Sequence, residues 1–493
     1  MKTDLGKAIL KGGIILTLSR LLNRLFSLIR IFTIARWIGP ESMGIFSVAS
    51  LILATIEQVS ASGFPHSLIQ KQGDISRFIP PVRTFQAIRG VFIGLLLFTS
   101  SSFIANFFNS PESSSIIKII SLVPIINGFE PLFFILSQKE LKFEKIVILQ
   151  ISASIIGLLV GLFCAYLDPS PWCLIWSVLS VSLSTTIGAH ILSSRANIGF
   201  TLNFKPLIEI LPFGLWMLVI SISALIYTKL GDWIIGSFLD VTSLAIYQMA
   251  FLICTIATYE IGSVISQLSF PVFSKIQDNI NKLQNAFVKS FCIVSIMTIP
   301  TAALLSFTSY DIVLISLGSD WLDVAPLIPF LSIWGICSLF AGPQSALFKA
   351  IGEVKIWALT VIFMSLILLI GIIPMVNLYG TKGVCILIAV VGLFMQFIRY
   401  YYISNFLNLS YFNVIKHLVL PIVSVIITFS FTHYIINYLF INSLHLRLIV
   451  TAFIFLTIYF STTFLLMIKF DPLLYNEILK RFKIRNVFIN ADS

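Results

Sequence analysis

Residues 12–36 read GGIILTLSRLLNRLFSLIRIFTIAR and residues 42–66 read SMGIFSVASLILATIEQVSASGFPH, with only WIGPE (37–41) between them. Each stretch exceeds the roughly 20 mostly apolar residues a helix needs to cross a bilayer. The intervening Gly-Pro pair leaves room for a turn and nothing more. The two stretches therefore read as a transmembrane hairpin, and the rest of the chain repeats the theme.

Twelve further apolar stretches follow, at 82–106, 114–136, 146–166, 172–194, 207–230, 242–268, 285–308, 325–348, 356–377, 380–404, 412–438 and 445–468. They are numbered spans 3 to 14. Composition agrees: the 493 residues are 58% hydrophobic and only 11% charged, with mean hydropathy +0.99. A soluble domain carries about a quarter charged residues. The expected fold is an all-α polytopic membrane protein of about fourteen transmembrane helices.

The linkers fix orientation. Every second one is basic: Lys2, Lys7 and Lys11 in the N-terminal tail, then Lys71, Arg77 and Arg83 between spans 2 and 3. Lys139, Lys142 and Lys145 follow, then Arg195 and Lys205, Lys275, Lys282 and Lys289, Lys349 and Lys355, Arg399 and Lys416, and five bases in the C-terminal tail. That side holds 23 basic residues, and the opposite side four: Arg36, Lys229, Lys382 and Arg447. The bias places both termini in the cytoplasm of a bacterial inner membrane. The net charge of +11 is thereby explained by topology and attraction to anionic lipid, without nucleic acid. The first stretch carries arginines and does not resemble a cleaved signal peptide.

The chain also repeats itself. WIGPESMGIFSVA (37–49) aligns without gaps on FLDVTSLAIYQMA (238–250), so that Phe46 falls on Tyr247. Phe64-Pro65 corresponds to Phe270-Pro271, and Pro131 to Pro343. A repeat of six spans returns the chain to its starting side, which makes the repeats parallel and predicts two pseudo-symmetric six-helix lobes around a central cleft. The expected lobes are residues 1–206 and 207–404; 405–493 supplies two extra helices and a basic tail.

Span 1 is the unusual helix. Arg20, Asn23, Arg24, Ser27 and Arg30 fall in one stripe. An arginine at mid-membrane costs about 2.5–3.5 kcal/mol on insertion scales. Such a stripe suits a wet cavity, and a permanently charged fork suits phosphate or carboxylate. Arg20 and Arg30 lie near enough to the helix ends to snorkel instead. Other intramembrane charges are Glu57, Arg89, Lys118, Glu130 and Glu260, with Lys229 and Asp232 spaced to pair. Arg89 and Gln58 join the stripe as candidate substrate-binding residues. Glu57, Glu130, Asp232 and Glu260 are candidates for a coupling-ion site or proton relay; neutralising ion pairs are the competing reading. Polar residues on spans 2 and 8, among them Ser60, Ser62, Gly63, Tyr259 and Gln267, would line the cleft.

Several chemistries have no foothold. The six cysteines are scattered without a Cys-x-x-Cys pair and read as packing residues. There is no Gly-x-x-x-x-Gly-Lys-Ser/Thr loop, no His-Glu-x-x-His and no nucleophile–base pattern. No metal or cofactor is expected. No linker exceeds roughly twenty residues, which leaves little room for the outer site of a glycan polymerase or ligase.

RWIGPESMGIFSVA (36–49) after a basic span 1, with GFPHSLIQK (63–71) following, resembles the start of the Wzx-type oligosaccharide flippases. These form the polysaccharide transporter family of the multidrug/oligosaccharidyl-lipid/polysaccharide (MOP) exporter superfamily. GDWIIG (231–236), AIYQMA (245–250) and FPVFSK (270–275) resemble its second-lobe counterparts. One departure stands out: Asp240 replaces the usual glycine of the second-lobe turn. The resemblance implies two six-helix lobes forming a V. It also implies an undecaprenyl-pyrophosphate-linked oligosaccharide as substrate, for lipopolysaccharide O-antigen, capsule or exopolysaccharide. Proton, sodium ion and a glycan polymerase are candidate partners. A lipid II flippase and a multidrug/cation antiporter of the same superfamily are the rival readings. An enzyme of glycan polymerisation is the alternative from a different class.

Overall fold

A computed structural model of the chain describes residues 2–60, 64, 67–68, 75–139, 143–193, 199–439, 441 and 443–470. Their side chains are described except at 2–17, 210–221, 223–224, 227, 257–268, 411–417 and 469–470. All regular structure among the described residues is helical. Nine helices there are long and apolar enough to cross a membrane. Two of the nine, Leu18–Val59 and Val354–Leu407, each cover two sequence spans.

Each double helix breaks at a glycine. Gly39 has φ 75 and ψ 172, and Gly380 has φ 57 and ψ −140. A side chain is almost never tolerated in that region of backbone space. At the first break Pro40 supplies no N–H. Spans 7 and 8 correspond to the helices Lys205–Phe238 and Val241–Ile276. Here Asp240 stands at the position of Gly39, and its departure from the family pattern has a local explanation. Its carboxylate accepts from the Ser243 amide at 2.6 Å and the Ser243 hydroxyl at 3.2 Å, capping the helix that follows. One break uses glycine's backbone freedom and the other uses a cap.

Span 4 is in pieces, Ser113–Ile120, Leu122–Gly128 and Phe133–Lys139, with a 42° bend at the second interruption. Pro131 sits in that gap. The linker between spans 9 and 10 is also structured, as the helix Ser309–Ser316 and the 3-10 helix Ser319–Leu327.

The chain divides into two compact units, residues 1–248 with 316–321 and 372–381, and residues 249–315 with 322–371 and 382–493. In the first unit one core joins Phe64, Leu68, Phe78, Val82 and Leu132. Span 1 seats on span 5 through two glycines one turn apart. A Cβ at Gly157 would lie 3.1 Å from Arg30 Nη1, and one at Gly161 would lie 3.0 Å from Ile34 Cδ1. Small residues at this spacing let membrane helices approach closely, where van der Waals contact and short polar bonds replace the missing hydrophobic drive. In the second unit Phe291 stacks on Phe340 at 4.5 Å and meets Tyr400 edge-on at 5.5 Å. Spans 13 and 14 are attached there to span 9. Phe307 meets Phe429 at 4.8 Å, the Tyr459 hydroxyl donates to the Ile296 carbonyl at 3.0 Å, and Arg447 pairs with Asp311.

Contacts between linkers test the alternation of sides. Arg77 pairs with Glu209 at 2.9 Å, Lys139 donates to the Leu68 carbonyl at 2.9 Å, and Gln284 donates to the Leu407 carbonyl. Each joins segments that the charge pattern places on the basic side. Asp311 with Arg447, and Phe108 with Trp233, join segments assigned to the other side. None of these contacts crosses between sides.

Two charges counted with the linkers are buried in the structure. Arg83 is 2% exposed and Arg399 is 5% exposed. Each guanidinium lies over an aromatic ring at 4.5 Å, Phe200 and Trp357 respectively. Both lie at the ends of spans and use the cation for packing, which a linear count of bases cannot distinguish from solvation.

Candidate functional site

The arginine stripe of span 1 divides into two edges. Asn23 and Arg30 form the edge that faces spans 5 and 6. The Asn23 side-chain oxygen accepts from Ser154 Oγ at 2.7 Å, and its amide donates to Ser19 Oγ at 3.3 Å. Arg30 Nη1 donates to Ser177 Oγ at 3.1 Å, and Ser177 donates onward to the Gly157 carbonyl at 2.5 Å. These bonds occur where Gly157 lets the helices come together. Arg24 and Arg20 occupy the other edge, rotated by up to about 120° from Arg30 on a helix of 100° per residue. Arg24 is half-buried and Arg20 exposed, and neither has a hydrogen bond or ion pair among the described residues.

A second cluster gathers four spans of the same unit. The Arg89 guanidinium from span 3 and the Asn127 amide from span 4 both face the Glu57 carboxylate of span 2. Arg89 also donates to the Ser60 carbonyl at 3.3 Å. Ser182 of span 6 donates to the Asn127 side-chain oxygen at 2.6 Å. Arg89 is therefore turned toward span 2. Glu130 is half-buried at the gap in span 4, and its carboxyl has no hydrogen-bond partner among the described residues. Gln58 is half-buried and engaged in contacts.

A third cluster sits where spans 7 and 8 begin their turn. Lys229 pairs with Asp232 at 3.2 Å, as their spacing predicts, and Gln248 is a further hydrogen-bond partner of Asp232. Asp232 is 5% exposed. The adjacent Trp233 donates its indole N–H to Thr55 Oγ1 at 3.1 Å. The side chains of Glu260, Tyr259 and Gln267, and residues Ser62 and Gly63, lie outside the described residues. Among the described residues the three clusters share no ion pair, and Arg24 meets none of Glu57, Glu130 and Asp232.

No group of three His, Cys, Asp or Glu able to hold a metal occurs among the described residues. All six cysteines are free, five of them buried. The site offers charge and hydrogen bonds.

A family model described as polysaccharide biosynthesis protein matches residues 33–326. The chain belongs to that family. Among curated relatives, the lipopolysaccharide biosynthesis protein WzxC of Escherichia coli K12 is 24% identical over 396 residues, 80% of either chain. The teichuronic acid biosynthesis protein TuaB of Bacillus subtilis is 22% identical over 59% of this chain and 60% of its own length. Among solved structures, the lipid II flippase MurJ in an inward closed conformation superposes with TM-score 0.73 at 15% identity, covering 93% of this chain and 99% of that one. A multidrug resistance MATE family transporter of the MOP superfamily, in an inward-facing conformation, gives TM-score 0.59 at 15% identity, covering 80% and 98%.

Within this family member, sequence reasoning passed over four residues that organise the site. Asn127 hinges the Glu57 cluster; a polar residue four before the Pro131 gap was the available signal. Gly157 and Gly161 form a small-xxx-small pair whose spacing predicts the packing of Arg30. Arg83 donates to the Phe129 carbonyl at 3.5 Å and contacts His190 Nε2 at 3.4 Å, supporting the open backbone of span 4. Its burial left no trace in the local pattern.

Proposed function

We propose that this polysaccharide flippase moves an undecaprenyl-pyrophosphate-linked oligosaccharide from the cytoplasmic to the outer leaflet of the bacterial inner membrane, for O-antigen, capsule or exopolysaccharide assembly. The reading rests on Arg24. A half-buried guanidinium with no partner among the described residues, on a membrane helix, is costly unless an anion or water completes it. Arg20 is one turn away on the same face, so the two guanidinium groups are spaced for a diphosphate. Arg30 and Asn23 are supports that fix the rotation of span 1 and so aim Arg24. A glycan headgroup cannot cross hydrocarbon unaided, because each unpaired hydroxyl costs several kcal/mol. A protein path for the head, with the prenyl tail left in lipid, removes that barrier without chemistry, so no enzyme activity is assigned.

The Glu57–Arg89–Asn127 cluster and the Asp232–Lys229 pair are the proposed sites of coupling to a proton or sodium ion. Both hold a carboxylate against a cation, and exchange of that cation for a proton or metal ion is the simplest switch such a pair can make. Movement of the two repeats in alternation would carry the head across.

The test is a gene deletion complemented by variants. Loss of the gene is expected to accumulate undecaprenyl-pyrophosphate oligosaccharide and abolish surface glycan. The wild type restores both, and Arg24→Ala at equal membrane abundance restores neither. Normal surface glycan with Arg24→Ala overturns the assignment of the anion site. An unchanged lipid-linked pool with new sensitivity to cationic drugs transfers the protein to the antiporter branch.

A further inference from the structure

Trp321 is among the largest fully buried side chains of the molecule, at 0% exposure, although it lies in a linker expected at the outer surface. Its indole N–H donates to the Ala35 carbonyl at 3.1 Å across 286 residues of sequence. Ala35 is in the last turn of span 1 before the Gly39 break, where carbonyls have no following helix to satisfy them. The Trp321 indole thus caps span 1 in place of the missing turn. Gly318, just before it, takes φ 98, and a Cβ there would meet the Arg36 side chain at 3.8 Å.

Two further contacts join the same ends of the two repeats. At the start of span 2, a Cβ on Gly44 would fall 2.3 Å from the Val241 carbonyl, at the start of span 8. Phe108 packs against Trp233, and Gly236 leaves room for its ring. The helix starts and the structured linker of the second repeat are thereby fastened to the first repeat at the end the charge pattern assigns to the outside. A headgroup cannot leave between helices whose backbones touch.

We propose that Trp321 is the latch of an outer closure: its withdrawal from the Ala35 carbonyl releases span 1 and lets the outer ends separate. This rests on reading the chain as an alternating-access carrier, but it makes a claim that needs no substrate to test. Of the three fastenings, this one depends on a single side chain in a linker, which can swing without repacking a transmembrane helix. Gly44 lies in a long helix and Phe108 caps the C-terminus of another, and both move only as those helices move.

The experiment uses the full chain with its six cysteines replaced and Ser47→Cys as reporter. Ser47 is 0% exposed, three residues after Gly44 and therefore on the face turned to Val241. Its hydroxyl has no hydrogen-bond partner among the described residues, so the exchange for a thiol is mild. Labelling from outside with a membrane-impermeant maleimide reads the open population. Trp321→Phe keeps the apolar plug and removes only the donor. It should speed labelling by about fivefold, the factor one ordinary hydrogen bond supplies. Trp321→Ala should speed it further, on the order of tenfold or more. Should the alanine variant fail to reach the membrane, the phenylalanine variant decides. Labelling of Trp321→Phe at the parental rate, in protein of parental melting temperature, overturns the latch. If labelling accelerates but deletion of the gene accumulates no lipid-linked oligosaccharide, the latch stands and the substrate reading fails.

Discussion

Arg24 and Arg30 are six residues apart on one helix, and the fold uses them for different purposes. Arg30 is consumed by Ser177 and the glycine step of span 5, whereas Arg24 is left without a partner among the described residues. The stripe itself was legible, since 100° per residue puts all its members on one side of the helix. Its division was not, because that depends on which neighbour carries Gly157, Ser154 and Ser177. Arg83 shows the same limit. In sequence it is one more base on a basic side; in the structure it is stacked on Phe200, donates to the Phe129 carbonyl and touches His190. Lysine cannot reproduce that planar fork. Arg83→Ala and Arg83→Lys should each destabilise the protein by about 2–4 kcal/mol, from a lost stacked cation and a charged hydrogen bond. Thermal unfolding of the purified protein measures this, and a lysine variant that melts like the parent refutes the role of the fork.

At the scale of the element, apolar length and turn residues located nearly everything. All fourteen expected spans fall on helix, with the helix of span 2 described only to Val59 and span 4 divided into three pieces. The gaps drawn at 37–41 and 378–379 fall on or beside the breaks at Gly39 and Gly380. What length and hydropathy concealed was the interruption of span 4. Apart from Asn127 and Glu130 its sequence remains apolar from Leu122 to Leu136, and the arginine that donates to the stray Phe129 carbonyl helps explain why the gap is stable. The glycine at position 39 is a different matter, since its backbone angles exclude side chains although there is open space around it. Gly39→Ala should therefore cost about 1–3 kcal/mol through backbone strain alone. The observable is a lower melting temperature without loss of glycan export at permissive temperature. A variant as stable as the parent would show that the hairpin relaxes to ordinary angles.

At the scale of the whole molecule, alternating charge gave a side to every linker, and the linker contacts respect those sides. The agreement holds because insertion fixes which linkers can meet before tertiary packing begins. The appended spans 13 and 14 were expected only as extra helices; their fastening to span 9 depends on a pair that no local pattern reveals. Asp311 is buried and Arg447 partly exposed, and the arginine holds both carboxylate oxygens. Arg447→Ala and Asp311→Ala should each lower stability by about 1–2 kcal/mol, less than a fully buried pair because Arg447 is partly in solvent. The double variant should cost less than the sum of the singles, and exchange of the two charges should recover part of the loss. Additive single effects in that cycle would show that the pair contributes no coupling.

The separation of Asp311 from Arg447 also has a temporal meaning. The chain between them is 136 residues long. At the usual synthesis rate of about 5–20 residues per second, the carboxylate waits roughly seven to twenty-seven seconds for its cation. During that interval the nascent protein carries an unsatisfied acid beside the bilayer, and a ribosome that stalls or stops early leaves it so permanently. Products truncated just before residue 447 thus retain thirteen spans and almost all of the candidate site, yet bear a built-in mark of incompleteness that membrane proteases and chaperones can read.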